Sequence, residues 1–327
     1  MISKENISNK KKIFNDPVYG FISIPGDFIF DLIEHPYFQR LRRIKQLGLT
    51  HLVYPGALHT RFHHVLGAMH LMGQAIEVIR RKGTEVSEEE EQAVILAILL
   101  HDIGHGPFSH ALEHSIVNGV SHEDISSLFM QKLNQEFDGK LTLAIDVFEN
   151  RYHKSFLHQL VSSQLDMDRL DYLNRDRFYT GVSEGMVGSD RIISMLDVRN
   201  NQLVLEEKGI YSIEKFIVAR RLMYWQVYLH KTVVGAEFLL VNILKRAEEL
   251  IKSGVELFAT PALKYFLSND VHLEDFKTNP DVLDLFSELD DFDVMASVKV
   301  WMKSEDKVLS MLCTRLVDRK LFKVKIT

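Results

Sequence analysis

His101-Asp102-Ile103-Gly104-His105-Gly106-Pro107-Phe108-Ser109-His110 places three histidines and one aspartate within ten residues, directly after the apolar run Ala93–Leu100. Ser87 followed by Glu88–Glu91 reads as an N-cap with acids in the first turn, where the helix dipole favours them. The helix they open continues through Ala93–Leu100, apolar almost all round, and is therefore expected at the centre of the molecule. Gly104 and Gly106-Pro107 end it. Buried imidazole and carboxylate groups are costly unless compensated, and a divalent cation compensates both. Adjacent His and Asp point about 100° apart on a regular helix, so both reach one ion only near a helix end. The competing reading is a helix C-terminus whose histidines satisfy free carbonyls.

Working outward, the pattern is mainly α-helical. Helices are expected over Pro36–Gly48, Arg61–Arg81, Phe108–Val117, His122–Glu136, Phe156–Gln164, Met167–Asn174 and Ser189–Met195, from apolar spacing and terminal Gly signals. Ser212–Lys252 reads as one long helix bent near Gly235, with shorter helices from about Val255. Val18–Ile24 is expected as a short strand. Leu203–Leu205 and Gly209–Tyr211 are expected as a hairpin around Glu206-Glu207-Lys208, and Lys320–Thr327 as a terminal strand. The expected division is an N-terminal segment (1–50), a catalytic core (51–236) and a C-terminal helical region (237–327) that starts a further subdomain.

Composition narrows the function classes. Lys+Arg 39 against Asp+Glu 45 gives a net charge of −6 over 327 residues, so no global basic field attracts nucleic acid. One cysteine, Cys313, excludes an internal disulfide and a Cys-rich metal module, and fits a reducing cytoplasm. The longest apolar run is too short to span a bilayer. Two further stretches carry ligand-type residues: Arg61-Phe62-His63-His64 at a helix start, and Asp166-Met167-Asp168-Arg169-Leu170-Asp171-Tyr172. In the second, Asp168 shares a helix face with Asp171 and Tyr172, and Asp176 lies a turn beyond Tyr172.

Separated His, His-Asp and Asp in this order resemble the signature of the HD phosphohydrolase superfamily. Gln39–Gly48, Arg61–His64, His101–His110, Asp166–Asp176 and Tyr228-Leu229-His230-Lys231 together resemble its deoxynucleoside triphosphate triphosphohydrolase branch, over about Lys12 to Ala236. The resemblance implies an HD-type helical fold and the hydrolysis of a deoxynucleoside triphosphate to deoxynucleoside and inorganic triphosphate. It assigns His64, His101, Asp102 and Asp168 to one divalent metal ion. Two imidazoles and two carboxylates suit Mn²⁺, Fe²⁺, Ni²⁺ or Zn²⁺, and Mg²⁺ less obviously. Arg61 and His105 match residues that hold the α-phosphate. Arg169, where the family usually has Lys, and Arg220 match contacts to the triphosphate tail. His110, His122 and Glu113 match a proton-transfer group, with Glu113 standing where the family usually has Asp. Gln46, Tyr172, Asp176 and Tyr228 match the sugar pocket, and Tyr224 stands where the vertebrate members of this branch have His.

The chemistry agrees with the residue types. Attack at the α-phosphorus needs charge neutralisation, an activated water and a proton for the leaving oxygen. Arginines, a metal and near-neutral histidines supply these. The alternatives are another HD-type phosphohydrolase or phosphodiesterase and a nucleotide sensor without turnover. The resemblance also implies a homo-oligomer, dimer or tetramer, and an activator nucleotide held near Lys12, Asn15-Asp16-Pro17, Gln39 and Arg42, with Glu34 where an Asp is expected.

Overall fold

The computed structural model describes residues 12–108, 117 and 119–324. Sixteen α-helices and two small antiparallel strand pairs make up its regular structure among these residues. A hairpin of β1 (Ile13–Asp16) and β2 (Gly20–Ser23) leads into α1 (Asp27–Glu34) and α2 (Pro36–Gln39). The central layer is α3 (Arg61–Arg81), α4 (Glu88–Leu100), α5 (His122–Glu136), α6 (Thr142–Phe148), α7 (Ser155–Val161) and α8 (Met167–Thr180). Then come α9 (Ser189–Ser194), a hairpin of β3 (Leu196–Arg199) and β4 (Gln202–Leu205), α10 (Ile210–Met223) and α11 (Lys231–Lys252). Five helices close the described chain: α12 (Pro261–Ser268), α13 (Leu273–Thr278), α14 (Pro280–Glu288), α15 (Asp291–Trp301) and α16 (Lys307–Val317). No single helix among the described residues is long and apolar enough to cross a membrane.

The core follows from α4. Ser87 and Glu90 form a capping box, and every residue of Ala93–Leu100 is buried between α3 and α6. Glu90 is itself buried, accepting from Tyr152 at 2.7 Å and Lys154 at 2.8 Å. On its other flank α3 packs against α8, and a glycine makes this approach possible. A Cβ at Gly67 would lie 2.0 Å from Asp171 Oδ1 and 2.2 Å from Arg175 Nη2. Gly104 does the same for the turn after α4, where a Cβ would meet the His122 carbonyl oxygen and Ser126 N at 2.3 Å each.

Several expectations are corrected. Pro36–Gly48 is not one helix: α2 passes into a 3₁₀ turn over Arg40–Arg43, and the chain then becomes extended at Ile44. The cause is tertiary. Buried Arg40 donates to the carbonyls of Ile103 (2.9 Å) and Leu289 (3.1 Å), and the extended segment pairs Arg61 N with Ile44 O and Gln46 N with His59 O, each at 3.0 Å. Gly48 then takes φ 47°, starting a second 3₁₀ turn. The second hairpin turns at Asn200-Asn201, not at Glu206–Lys208, and Gly209–Tyr211 leads into α10 instead of forming a strand. Both asparagines have positive φ, 51° and 62°, which a tight two-residue hairpin demands and which Asn tolerates.

Ser212–Lys252 is two helices meeting at 55°, broken at Leu229-His230 after a π-turn over Tyr224–Tyr228. Gly235 is not the bend; it lets the C-terminal segment approach, since a Cβ there would lie 2.6 Å from Val324 Cγ2. Residues 321–324 form no strand, and 325–327 lie outside the described residues. The helix expected at Phe108–Val117 falls mostly outside them too, and Phe108 has a left-handed φ of 46°. The expected helices at Phe156–Gln164 and Met167–Asn174 become α7, which ends at Val161, and α8, which runs on to Thr180.

Gly67→Ala is expected to destabilise the fold by about 1–3 kcal/mol through overpacking against Asp171 and Arg175. Gly73→Ala, on the same helix with nothing within 4 Å, is expected to stabilise it by about 0.5–1 kcal/mol. Urea unfolding of the two variants checks the contrast.

Candidate metal and phosphate site

The end of α4 faces the starts of α3 and α8. His101 closes α4, and its Nδ1 lies 2.6 Å from the Ile98 carbonyl oxygen. The carbonyl-satisfying reading of this histidine therefore holds for one ring nitrogen and leaves Nε2 for another task. His64, fully buried in α3, is anchored in the same way: its Nδ1 lies 2.7 Å from Asp171 Oδ2. Asp171 is shared with Arg175 through two 2.9 Å bonds, and Arg175 reaches back to Asp16 at 2.7 Å.

Both anchored rings present Nε2 inward, toward the carboxylates of Asp168 and Asp102. His64 Nε2 lies 3.1 Å and His101 Nε2 3.6 Å from Asp168 Oδ1. Asp102 Oδ1 is 3.2 Å from His101 Nε2, and Oδ2 is 3.8 Å from His64 Nε2. His64, His101 and Asp168 satisfy the mutual spacing of a metal group; Asp102 joins through His101 but is also drawn toward Arg61 at 2.6 Å and His105 at 3.2 Å. Asp102, His105 and His122 form a second such group, with the two imidazoles stacked 3.9 Å apart.

The electrostatics favour positive charge between these rings. Burial alone would lower His64, but hydrogen bonding to Asp168 and Asp171 raises it to about 10. His101 is likewise raised, against burial, by Asp102 and Asp168. Burial opposes the charge on Asp102, yet His101 and Arg61 hold its carboxyl well below the ordinary range. Burial, then the neighbouring Arg61, pushes His105 well down. A divalent cation meets this demand, and the fixed Nδ1 contacts orient both rings as metal ligation requires. The residues present fit such an ion.

Beside the cluster opens a cavity of about 670 Å³, within the range of small-ligand sites. Arg61, Asp102, His105, His122, Asp168 and Arg169 line one part of it. Gln46, Tyr172, Asp176, Tyr224 and Tyr228 also line it, as do Leu47, Thr50, Leu229, Val234 and Glu237. Asp176 is locked in place by His59 at 2.7 Å and the Tyr228 hydroxyl at 2.8 Å, and Tyr172 stands edge-on to Tyr228 with ring centroids 6.2 Å apart. The π-turn turns both Tyr224 and Tyr228 to this cavity. Arg220 is not part of the lining; it lies against the Tyr224 ring and donates to Gln164 at 3.2 Å. His110 and Glu113 lie outside the described residues. Sequence reasoning missed His59, Arg175 and Glu237. Only the adjacency of Arg175 to Asp176 hinted at one of them.

The HD domain family matches residues 61–176, and the HD associated region matches 187–256. An uncharacterised Bacillus subtilis protein, YwfO, is 36% identical over 322 residues, covering 96% of this chain and 72% of that protein. The deoxynucleoside triphosphate triphosphohydrolase SAMHD1 homologue of Dictyostelium discoideum is 32% identical over 265 residues, and the match spans about half of its length (51%) and 75% of this chain. A crystal structure of a phosphohydrolase from Bacteroides thetaiotaomicron is similar at a TM-score of 0.94 and 59% identity, covering 96% of this chain and 79% of that one.

Asp171→Asn is expected to lower divalent-metal affinity by about 10–100-fold, because Asp171 aims His64 without being a ligand itself. Metal content after dialysis against a graded chelator checks this; an unchanged content contradicts it.

Proposed function

The chain belongs to the HD-domain phosphohydrolase family, and on that premise we propose that it hydrolyses deoxynucleoside triphosphates to deoxynucleoside and inorganic triphosphate. The observation that carries the reading is one cavity lined both by the cationic, histidine-rich cluster and by the Tyr172–Asp176–Tyr228 group. The similarity to a protein named as a deoxynucleoside triphosphate triphosphohydrolase supports the same substrate class. His64, His101, Asp102 and Asp168 would hold a divalent ion, which when bound supplies a Lewis acid and an acidified water at the phosphorus.

The chain's own residues do the rest. Arg61 and Arg169 offset the charge of the phosphate chain, and His105 donates to the α-phosphate. Arg169 is braced for this by its Nε bond to Ser163 O at 2.7 Å. Arg220 joins them by turning from Gln164. Water oxygen bonds to the α-phosphorus, the bond to the 5′-oxygen breaks, and that oxygen takes a proton from His122 or His110, with Glu113 orienting the donor. Gln46 and Asp176 hold the 3′-hydroxyl. Tyr172 and Tyr228 stand where a 2′-hydroxyl would clash.

The same reading includes a cytoplasmic homo-oligomer, dimer or tetramer, and an activating nucleotide at the N-terminal segment. Gln39 and Arg42 are joined at 2.8 Å on the surface, and Lys12 lies over the Phe30 ring. Asp16 is already committed to Arg175 and to the amides of Val18 and Tyr19, which leaves the others to bind such a nucleotide.

Wild-type protein is expected to favour dATP over ATP by about 10–100-fold in kcat/KM. Tyr228→Ala should narrow the gap, mostly by slowing the deoxy substrate. Release of triphosphate from a panel of deoxy- and ribonucleotides checks this, and equal cleavage of ATP and dATP by the wild type overturns it.

A further inference from the structure

The corner Leu289-Asp290-Asp291, where α14 gives way to α15, meets the strap of residues 40–45 along its length. Arg40 donates to the Leu289 carbonyl, Arg43 pairs with Asp290, and Lys45 meets Asp291 Oδ2 through its amide (3.0 Å) and its ammonium group (3.4 Å). The two aspartates have separate tasks. Asp290 caps α15: its side chain accepts from Phe292 N at 2.8 Å, and Asp293 completes the capping box. Asp291 takes no part in that cap. It is 2% exposed, and its Oδ1 accepts from Phe108 N at 3.1 Å.

Both partners of Asp291 belong to segments that build the site. Ile44 and Gln46 bond to the stretch around Thr60, so Lys45 between them turns its amide to the opposite edge. Gln46 then enters the cavity lining. Phe108 ends the turn that carries Asp102 and His105, two residues before His110 in the sequence. It holds a left-handed φ of 46°, which a bulky residue keeps only where its surroundings over-determine it. The start of the same turn is tied as well, by Arg40 to the Ile103 carbonyl at 2.9 Å. One corner of the C-terminal helices therefore holds both ends of the turn and the strap. A carboxylate suits this place, because two N–H groups arriving from different segments need two acceptors. Asparagine would offer one oxygen and set its own N–H₂ against the other donor.

We infer that Asp291 is a positioning residue of the site, fixing the strap that carries Gln46 against the turn that carries His105. The assignment rests on the nucleotide reading above, in which Gln46 holds the 3′-hydroxyl and His105 the α-phosphate. A misplacement of about 1 Å is enough to cost about 100-fold in rate. Loss of one Asp291 bond loosens strap and turn, while His64 on α3 and Asp168 on α8 keep their place.

The test compares metal-loaded wild type with Asp291→Asn, Asp291→Glu and Asp293→Ala. Deoxyadenosine and 2′,3′-dideoxyadenosine, which differ only in the 3′-hydroxyl and have no phosphate to lose, are titrated calorimetrically. The kcat for triphosphate release from dATP is taken per bound metal ion. Wild type is expected to prefer the 3′-hydroxyl by about tenfold or more. Asp291→Asn should cut that ratio to about threefold or less and lower kcat by about 10–100-fold. Asp291→Glu keeps both acceptors but sets them one carbon further on, and should fall between. Asp293→Ala weakens the cap of the same helix without touching strap or turn, and should keep the wild-type ratio. A ratio of dissociation constants does not change with the folded fraction, so instability alone leaves it unmoved. If Asp291→Asn fails to fold, Asp291→Glu decides. The same ratio in wild type and each folded Asp291 variant, or equal narrowing in Asp293→Ala, overturns the assignment whatever product is released. A narrowed ratio together with no triphosphate from wild type upholds the assignment and overturns the hydrolysis.

Discussion

Asp171 is the group on which the site's geometry depends. Its carboxylate is fully buried and divided between the His64 ring and the Arg175 guanidinium, and Arg175 in turn holds Asp16 of the N-terminal hairpin. Buried charges survive only when paired, and removing one member leaves the others uncompensated. The chain of pairs therefore fixes three elements to one another: the first hairpin, α3 and α8. It also sets the azimuth of His64 and through it the point where Nε2 meets Asp168. Gly67 keeps room for the pair. Arg40 plays the matching part on the other side. It is buried and binds the carbonyls of Ile103 and Leu289, which pins the turn after α4 to the C-terminal helices.

The same frame explains why cationic and anionic groups coexist in one cavity. Arg61 lies against Asp102, which lies against His101 and His105. Each charge tunes the next, so that carboxylates stay ionised despite burial. The tyrosine group is held differently, through Asp176, His59 and the Tyr228 hydroxyl, on elements that join α8 to the π-turn. The π-turn spans Tyr224–Tyr228, and both of these tyrosines line the cavity.

The helical class and the central helices α3 and α4 were legible, because caps and an unbroken apolar run are local signals. Ser87, Glu90 and Ala93–Leu100 fix α4 without help from elsewhere. The string His101–His110 marked the helix end, and family strings drew His64 and Asp168 to it from far along the chain. Elements set by distant partners were not legible. Gln39–Gly48 has helical spacing, but the carbonyls that capture Arg40 and the pairing of Ile44 with Arg61 come from elsewhere in the fold. The hairpin expected around Glu206–Lys208 lies one strand earlier, turning at Asn200-Asn201, two residues whose type tolerates the positive φ found there. Gly235 looked like a hinge because its packing partner, Val324, lies at the other end of the described chain.

The central claim is that water attacks the α-phosphorus at the His64–His101–Asp168 cluster. Hydrolysis of a deoxynucleoside triphosphate in ¹⁸O-enriched water, read by phosphorus NMR and mass spectrometry of the products, tests it most directly. The account predicts one ¹⁸O on a terminal phosphorus of inorganic triphosphate, an unlabelled deoxynucleoside, and no reaction after the divalent metal is chelated. Label in orthophosphate or pyrophosphate, or in the 5′-hydroxyl of the nucleoside, would contradict it.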